Sequence, residues 1–239
     1  MKEKTRKKLP SDELDQILDD HRRWLESEGT LGRRANLRCC DLSNRDLFGV
    51  VLKMAVLKDV DFSGANLRTA NLKQAELHGC RFHRAHMQWS ILNGARLQNN
   101  NLTETNLQFC DFSDTIMSDD DFAGAFFHNA YLSNAVLHKV NLADTNLRYS
   151  TWTSSELSRI KFTASTIQLA DFSYASLREV DFRKAQIFNT DFTGSDLRVV
   201  DFSTTRLENV NFQGANLDPK CFIEANWQNC TFDQPMAVR

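Results

Sequence analysis

The amino-acid sequence predicts an all-β solenoid of about ten square coils, preceded by a capping helix. The first observation behind this prediction is a period of five: from Leu37 to Phe232, every fifth residue is large and apolar, through 40 consecutive pentads. A period of five fits neither the 3.6 residues of a helical turn nor the alternation of a flat strand, so the backbone must turn a corner in each pentad. The second observation is a period of twenty among the phenylalanines.

The phenylalanines at pentad centres fall almost entirely on two of the four series obtained by taking every twentieth residue. Seven belong to the series that starts at Leu42, five to the series that starts at Leu52, and Phe127 lies elsewhere. If four pentads form one coil, these rings stack along the axis on two opposite walls. The sequence therefore predicts coils of 20 residues and, at about 4.8 Å per coil, a rod about 48 Å long.

Two further positions of the pentad support this coil. The residue two before each centre is usually small, and it is Ala in 15 pentads, so one large and one small side chain fill the interior. All seven glycines of the array lie two residues after a centre, where Asn is also frequent. Because Gly and Asn tolerate positive φ, this position is predicted to form the tight turn.

Two segments are predicted ahead of the array. Residues 1–10 are predicted to be a basic, disordered tail, and residues 11–34 a capping helix with its linker, with Ser11 as the N-cap and Gly29 at the helix end. A solenoid exposes an apolar face at each end, so we expect the helix to cover the first coil, with Trp24 and Leu25 as anchors. A partner-binding helix is the alternative. The candidate capping residues are Leu14, Ile17, Leu18, Trp24 and Leu25.

The array is predicted to span residues 35–234, and residues 235–239 to form a short tail. Lys220 places a charge at an inward position of the last coil, and Pro219 and Pro235 cannot donate a hydrogen bond to a neighbouring strand. Both features blunt an open edge. The alternative for this end is an end-to-end homodimer, so the chain is predicted to be a monomer or such a dimer. The candidate dimer contacts are Phe222, Trp227 and Phe232.

The repeated motif resembles that of a known family. Ala65-Asn66-Leu67, Ala215-Asn216-Leu217 and Val200-Asp201-Phe202-Ser203 are similar to the A(D/N)LXX motif of the pentapeptide-repeat family. The resemblance covers residues 35–234 and implies a right-handed quadrilateral β-helix. It implies little about function, because the best-known members act by binding and many have no assigned activity. Some members are secreted effectors, and that role stays open for this chain.

Composition narrows the class of protein. The net charge of −2 over 239 residues favours neither direct nucleic-acid binding nor a strongly acidic surface. No apolar stretch approaches the ~20 residues that cross a bilayer, and no apolar core of a signal peptide follows the basic start. The six cysteines lack zinc-type spacing and are expected to be reduced thiols. We therefore expect a cytoplasmic protein with no membrane partner.

No pattern in the sequence predicts catalysis. The histidines are scattered, no Ser/His/Asp or Cys/His set can be assembled, and a convex rod lacks the cleft that enzymes use. Asn100 and Asp120 break the small-residue rule 20 residues apart, so they should stack in adjacent coils. We expect them to be bonded to each other in a local bulge rather than to hold a metal. The protein is thus predicted to have no catalytic residues, metal or cofactor.

The candidate partner-binding site is a stripe of outward aromatic and apolar side chains along the middle of the rod. Exposed aromatic patches mark interaction sites more often than chance, although aromatic side chains at turns also pack on their own ladder. Both interpretations stay open from the sequence. The aromatic stripe consists of Trp89, Phe109, Phe126, Tyr131, Tyr149, Leu169 and Phe188.

These observations leave two predicted functions. The first is a non-enzymatic scaffold that binds an unknown protein partner through the aromatic stripe. The alternative, implied by the resemblance, is a DNA mimic that binds DNA gyrase or topoisomerase IV, as quinolone-resistance members of the family do. The sequence departs from those members because it is nearly neutral, no loops interrupt the array, and no dimerisation helix follows it.

Overall fold

A computed structural model describes residues 6–234 of the chain. Parallel pairing joins Leu37 to Leu57 and Leu57 to Leu77, and the same 20-residue step repeats along the rod. Each coil has four sides, which we name after their first pentad centres as the Leu37, Leu42, Leu47 and Leu52 faces. The predicted quadrilateral β-solenoid of about ten coils is confirmed.

The regular strands lie mainly on two faces. Within residues 6–234, the Leu37 face carries a ten-stranded parallel sheet and the Leu47 face a four-stranded one, while single bridges join the coils elsewhere. The helices are α1, Ser11–Glu26, and a 3-10 turn, Pro219–Phe222. The strands are β1 Lys7–Lys8, β2 Asn36–Arg38, β3 Cys40–Asp41, β4 Val56–Lys58, β5 Glu76–His78, β6 Arg96–Gln98, β7 Ile116–Ser118, β8 Val136–His138, β9 Glu156–Ser158, β10 Thr166–Gln168, β11 Ser176–Asp181, β12 Gln186–Phe188, β13 Asp196–Asp201, β14 Arg206–Glu208, β15 Asn216–Leu217 and β16 Asn226–Gln228.

The second residue after each centre forms the corner, as predicted. These residues adopt positive φ even where they carry large side chains, with φ of 61° at Met54 and 60° at Trp89. On three faces a hydrogen bond closes the turn, as from the Ala65 amide to the Phe62 carbonyl at 2.9 Å. Asp or Asn ahead of the centre adds a second bond, since Asp61 Oδ1 accepts the Ser63 amide at 2.9 Å.

The phenylalanine walls form the core in the predicted arrangement. On one wall Phe162 and Phe182 stack with ring centroids 4.9 Å apart, and on the other Phe172 and Phe192 stack at 5.0 Å. The two walls meet edge to face, as between Phe182 and Phe192 at 6.1 Å. These rings are fully buried, and each such pair adds about 0.5–1.5 kcal/mol beyond the burial of its area.

Helix α1 covers the first coil, but its anchors differ from the prediction. Leu14 is buried, and Ile17 and Leu18 pack against the core. Trp24 and Leu25 are half-buried as well but are not among the side chains that pack against the core, so the prediction that they anchor the helix is wrong. The reason is that His21 takes the place against the coil, where its Nδ1 accepts the Ala35 amide at 3.1 Å. Trp24 stacks against the His21 ring, with centroids 5.8 Å apart.

The segment ahead of α1 also differs from the prediction. Ser11 is the first helical residue rather than the N-cap, because Pro10 holds the cap position. Residues 6–10 are not part of a disordered tail: β1 pairs with β3, and Leu9 is buried. Arg45 explains part of this order, because its guanidinium donates to the Leu9 carbonyl. The predicted tail residues 1–5 and 235–239 lie outside the described part of the chain.

One corner near the C-terminal end departs from the repeat. Val199 and, in the next coil, Pro219 occupy its turn position, and neither adopts positive φ. A β-branched side chain disfavours positive φ and proline excludes it. The pairing of β11 with β13 therefore shifts register at Arg178, and the following corner becomes the 3-10 turn. Lys220, predicted to point inward, is exposed as a result.

The C-terminal coil leaves only part of the predicted dimer contact accessible. Phe222 is buried, because it stacks on Phe202 at 5.1 Å and meets Phe232 edge to face at 5.7 Å, so the prediction is wrong for this residue. Trp227 and Phe232 are half-buried and pack against the core. The end-to-end dimer stays a prediction that rests on these two side chains. Within residues 6–234, no helix has the length and apolar character that a membrane span requires.

Candidate functional site

The aromatic stripe lies on the Leu47 face and on its corner with the Leu52 face. Trp89, Phe109, Tyr149 and Leu169 hold the turn position of successive coils, with Asn129 between them. Hydrogen bonds between coils fix their backbones, as from the Trp89 amide to the Gln108 carbonyl at 3.0 Å. The turn therefore places these side chains in one column on the surface, and their exposed fractions run from 37% for Phe109 to 54% for Trp89.

The rings of this column contact one another. Trp89 and Phe109 stack in parallel with centroids 5.5 Å apart. The ring of His128 fills the gap at Asn129, edge-on to Phe109 at 6.1 Å and to Tyr149 at 5.2 Å. The two interpretations of the stripe are thus compatible, because the rings pack on their own ladder and stay about half exposed. The sequence-based prediction of the stripe did not include His128, although this residue directly precedes Asn129, the one polar residue in the column.

The remaining stripe residues extend the patch unequally. Phe126 lies on the Leu47 face and Tyr131 on the Leu52 face, with exposed fractions of 44% and 51%. Phe188 is half-buried, and the Arg206 guanidinium lies over its ring, 5.2 Å from the centroid. Phe188 therefore offers less apolar surface than the other six side chains.

The Leu47 face also differs from the other faces in charge. From Asn66 to Asn189 its outward positions carry no Asp or Glu. Each of the other three faces carries four or five carboxylates over the same coils. The face that holds most of the stripe is thus neutral to basic on a chain of net charge −2.

Asn100 and Asp120 stack inside the rod and are both buried. Asn100 donates to Asp120 Oδ1 from its Nδ2 at 2.9 Å and from its backbone amide at 2.7 Å, while its own Oδ1 accepts the Cys80 amide at 2.9 Å. The expected bond between the two side chains is present, but the expected bulge is not, since β6 and β7 keep their register. The coil stays regular because the two polar side chains accept corner amides within the interior.

Asp120 is a titratable group inside the rod. Burial raises the pKa of its carboxyl to about 7. The bonds from Asn100 and from the Ser118 amide, 3.1 Å from Oδ2, oppose this shift because they stabilise the charged form. Within residues 6–234 no three His, Cys, Asp or Glu side chains converge as a metal site would require. With its pKa raised to about 7, Asp120 is a buried group whose protonation depends on pH near neutrality.

His21 is a second buried titratable group, and it lies between helix α1 and the first coil. It is fully buried, and burial lowers the pKa of its imidazole, as does the nearby Arg34 cation, although the Lys53 carbonyl acts in the opposite direction. Its Nδ1 must be unprotonated to accept the Ala35 amide. The neutral ring therefore holds the helix and the first coil together.

Two cavities among the described residues lie away from the stripe. One, of about 700 Å³, opens between α1 and the first coil beside Leu14 and Arg45. The other, of about 570 Å³, lies at the Val199 corner, where Cys221 contributes to its wall. Burial raises the pKa of the Cys221 thiol to about 12, so this cysteine is not a reactive thiolate.

Solved structures with the same fold are known. The chain is similar to HetL, a pentapeptide repeat protein involved in heterocyst differentiation regulation from the cyanobacterium Nostoc sp. strain PCC 7120, at 24% identity and a TM-score of 0.52, over 86% of this chain and 92% of HetL. It is also similar to QnrB1, a plasmid-mediated fluoroquinolone resistance protein, at 13% identity and a TM-score of 0.41, over 84% of this chain and 92% of QnrB1. At such identities the likeness to HetL shows the fold alone. No curated protein matches the chain in sequence.

The repeat itself identifies the family. A family model for pentapeptide repeats matches the chain with eight copies. The matched segments are residues 35–74, 52–88, 80–119, 121–150, 155–194 and 187–218. Together they cover most of the coils described above, and the chain belongs to the pentapeptide repeat family.

Proposed function

We propose that the protein is a non-enzymatic scaffold that binds another protein through the aromatic stripe. The observation that carries this proposal is the ladder of contacting, half-exposed rings from Trp89 to Tyr149. Aromatic side chains dominate the energetics of protein interfaces because they bury a large area with few rotatable bonds. Membership of the pentapeptide repeat family favours a binding role over a catalytic one.

The geometry of the stripe suits a protein partner. The column from Trp89 to Leu169 spans four coil steps, or about 19 Å at the usual strand spacing. The backbone beneath it is fixed by bonds between coils, such as that from Tyr149 to Gln168 at 2.8 Å. A surface that is already ordered loses little conformational entropy when a partner binds, so more of its contact energy contributes to affinity.

The proposal is tested with the full-length chain as bait in lysate of its native cell, followed by mass spectrometry. We expect Trp89→Ser with Phe109→Ser to lose the partner that the unchanged chain retains. Tyr174→Ser is the matched control, because Tyr174 holds the same turn position on the Leu52 face and is 67% exposed. Equal recovery by the double variant and the control, with thermal unfolding unchanged, would exclude the stripe as the binding site.

A supercoiling assay with DNA gyrase, with and without a quinolone, separates this proposal from a DNA-mimic role. A DNA mimic requires a continuous acidic surface, whereas the Leu47 face between residues 66 and 189 lacks carboxylates. On the Leu42 face, Arg81 lies 3.8 Å from Asp61 and breaks the acidic row. We therefore expect neither inhibition of gyrase nor protection from the quinolone.

A further inference from the structure

The two arginines of the Leu47 face between residues 66 and 189 form no ion pair with a carboxylate among residues 6–234. Arg68 bonds Asn66 Oδ1 at 2.9 Å and lies 5.8 Å from the centroid of the Phe48 ring. Arg148 makes no ion pair within the described residues. On other faces arginines reach carboxylates one coil away, as from Arg84 to Glu104 at 2.8 Å and from Arg159 to Glu179 at 2.9 Å.

Between residues 66 and 189 the outward neighbours of the two arginines on this face include no acid. Asp46, one coil before Arg68 on the same face, accepts a bond from Asn66 Nδ2 at 2.7 Å. The outward amides of this face include Gln88, Gln108 and Gln168, which alternate with the rings of the stripe. Carboxamide N–H groups and guanidinium groups donate to carboxylates, and the guanidinium does so in a bidentate geometry. Because the outward positions of this face from Asn66 to Asn189 carry no carboxylate, their donor groups are suited to carboxylates from outside.

The spacing of these groups indicates the form of the partner. Arg68 and Arg148 hold the same position of the pentad four coils apart, which is about 19 Å along the rod. The stacked rings of Trp89 and Phe109 lie between them along the axis. An extended segment that follows the rod at about 3.3 Å per residue would reach both arginines with acidic side chains about six residues apart.

We propose that the partner presents an acidic segment to the Leu47 face. Its carboxylates pair with Arg68 and Arg148, and its apolar side chains lie on the stack of Trp89 and Phe109. This inference rests on the proposed function and adds the chemistry of the partner to it. A second copy of the stretch from Asn66 to Asn189 does not fit, because it would bring arginines and amides together without a carboxylate.

The probe is a phage-displayed library of random dodecapeptides, selected on the full-length chain. We expect the selected peptides to be rich in Asp and Glu, and their binding to weaken as the salt concentration rises. Fluorescence anisotropy with the best peptide then measures affinity for the variants. Gln108→Glu and Arg148→Gln should each weaken binding on the order of tenfold, since one introduces repulsion and the other removes a charge pair.

Matched controls come from the opposite Leu37 face. Gln98→Glu and Arg178→Gln change the same residue types at the same pentad position, and both side chains are exposed. These variants should bind the peptide as the unchanged chain does. Equal weakening by the control and test variants would overturn the proposal, because the effect would then reflect net charge rather than this face.

The remaining outcomes separate the acidic partner from the stripe itself. If the selected peptides are not enriched in Asp and Glu but no longer bind the Trp89→Ser variant, the acidic partner is overturned and the proposed function stands. Peptides unaffected by Trp89→Ser and Phe109→Ser would overturn both. Selection of no binding peptide would also overturn the acidic partner. Light scattering that shows a dimer, which Trp89→Ser dissociates, would overturn it in favour of a second copy of the chain.

Discussion

Two buried side chains, Asp120 and His21, make the stability of this protein depend on pH in opposite directions. Asp120 is a carboxyl whose pKa is raised to about 7 by burial, and His21 is an imidazole whose pKa is lowered by burial. Each favours its neutral form in the native state. Acid therefore favours the native state at Asp120, whereas it disfavours the native state at His21.

We expect Asp120→Asn to remove a fall in stability with rising pH. Between the ordinary pKa of 3.8 and about 7, the unfolded carboxyl is ionised while the native one keeps its proton. The free energy of unfolding should therefore decrease by up to about 1.4 kcal/mol per pH unit across this window, and level off above pH 7. Urea unfolding at several pH values measures this slope. Asp119→Asn, an exposed neighbour, is the control that should keep it.

We expect His21→Gln to remove a loss of stability in acid. As the pH falls below 6.5, the unfolded imidazole takes up a proton before the native one does, so the free energy of unfolding decreases. Protonation also places a donor at Nδ1 against the Ala35 amide. The hydrogen-exchange protection factors of the α1 amides, measured relative to the intrinsic exchange rate at each pH, should fall between pH 7 and pH 5 in the unchanged chain and stay nearly constant in the variant. An equal fall in both would contradict the role of His21.

At the scale of the elements, one tight backbone contact adds to the side-chain contacts that attach α1. Gly32, in the linker after the helix, has a φ of 69°, and a Cβ there would lie 2.2 Å from the Asp20 carbonyl oxygen. The next amide, that of Arg33, donates to the same carbonyl at 3.1 Å. The linker therefore holds the helix against the first coil through backbone contacts, which leave no room for a side chain.

We expect Gly32→Ala to detach α1 and to destabilise the protein by at least about 2 kcal/mol, since both the positive φ and the backbone clash must be relieved. Limited proteolysis of the helix and chemical unfolding measure the two effects. Gly29→Ala is the control: its φ is also positive, but its Cβ would meet only the Trp24 ring, at 3.2 Å, and a side chain can move. Equal stability of the two variants would contradict this account.

At the scale of the whole molecule, the rod is stabilised by contacts between neighbouring coils. The Phe192 ring stacks on Phe172 at 5.0 Å and on Phe212 at 5.3 Å, each one coil away. In such a solenoid, stability is approximately a sum of repeat and nearest-neighbour contributions. A defect in one coil should therefore loosen its neighbours more than distant coils.

We expect Phe192→Ala to cost about 3–5 kcal/mol at the coil it affects, through lost burial and the cavity left behind. Hydrogen exchange should increase most for the coils between Phe172 and Phe212. The coils around Leu57 and Leu77 should keep their protection. Uniform loss of protection along the rod would instead mean that it unfolds as a single cooperative unit.

Most of the coil could be predicted from the sequence because each side chain's environment follows from its position in the pentad. The turn position, the small inward position and the two phenylalanine walls all recur at fixed spacing, and the structure confirms them. The stripe was predictable as a set of outward residues, but the contacts of His128 with Phe109 and Tyr149 were not. Those contacts depend on which rotamers adjacent coils leave room for.

The sequence by itself determined the solenoid, its 20-residue coil and the interior position of Asn100 and Asp120, since the repeat imposes the same geometry on every pentad. Only the tertiary structure decided which residues anchor α1, how the Val199 corner opens and that the Asn100–Asp120 pair fits without a bulge. These features depend on contacts that the repeat does not specify, between coils 20 residues apart or with the non-repetitive N-terminal segment. The physical reason is that a periodic pattern encodes a local environment, whereas a departure from it is resolved by its particular neighbours.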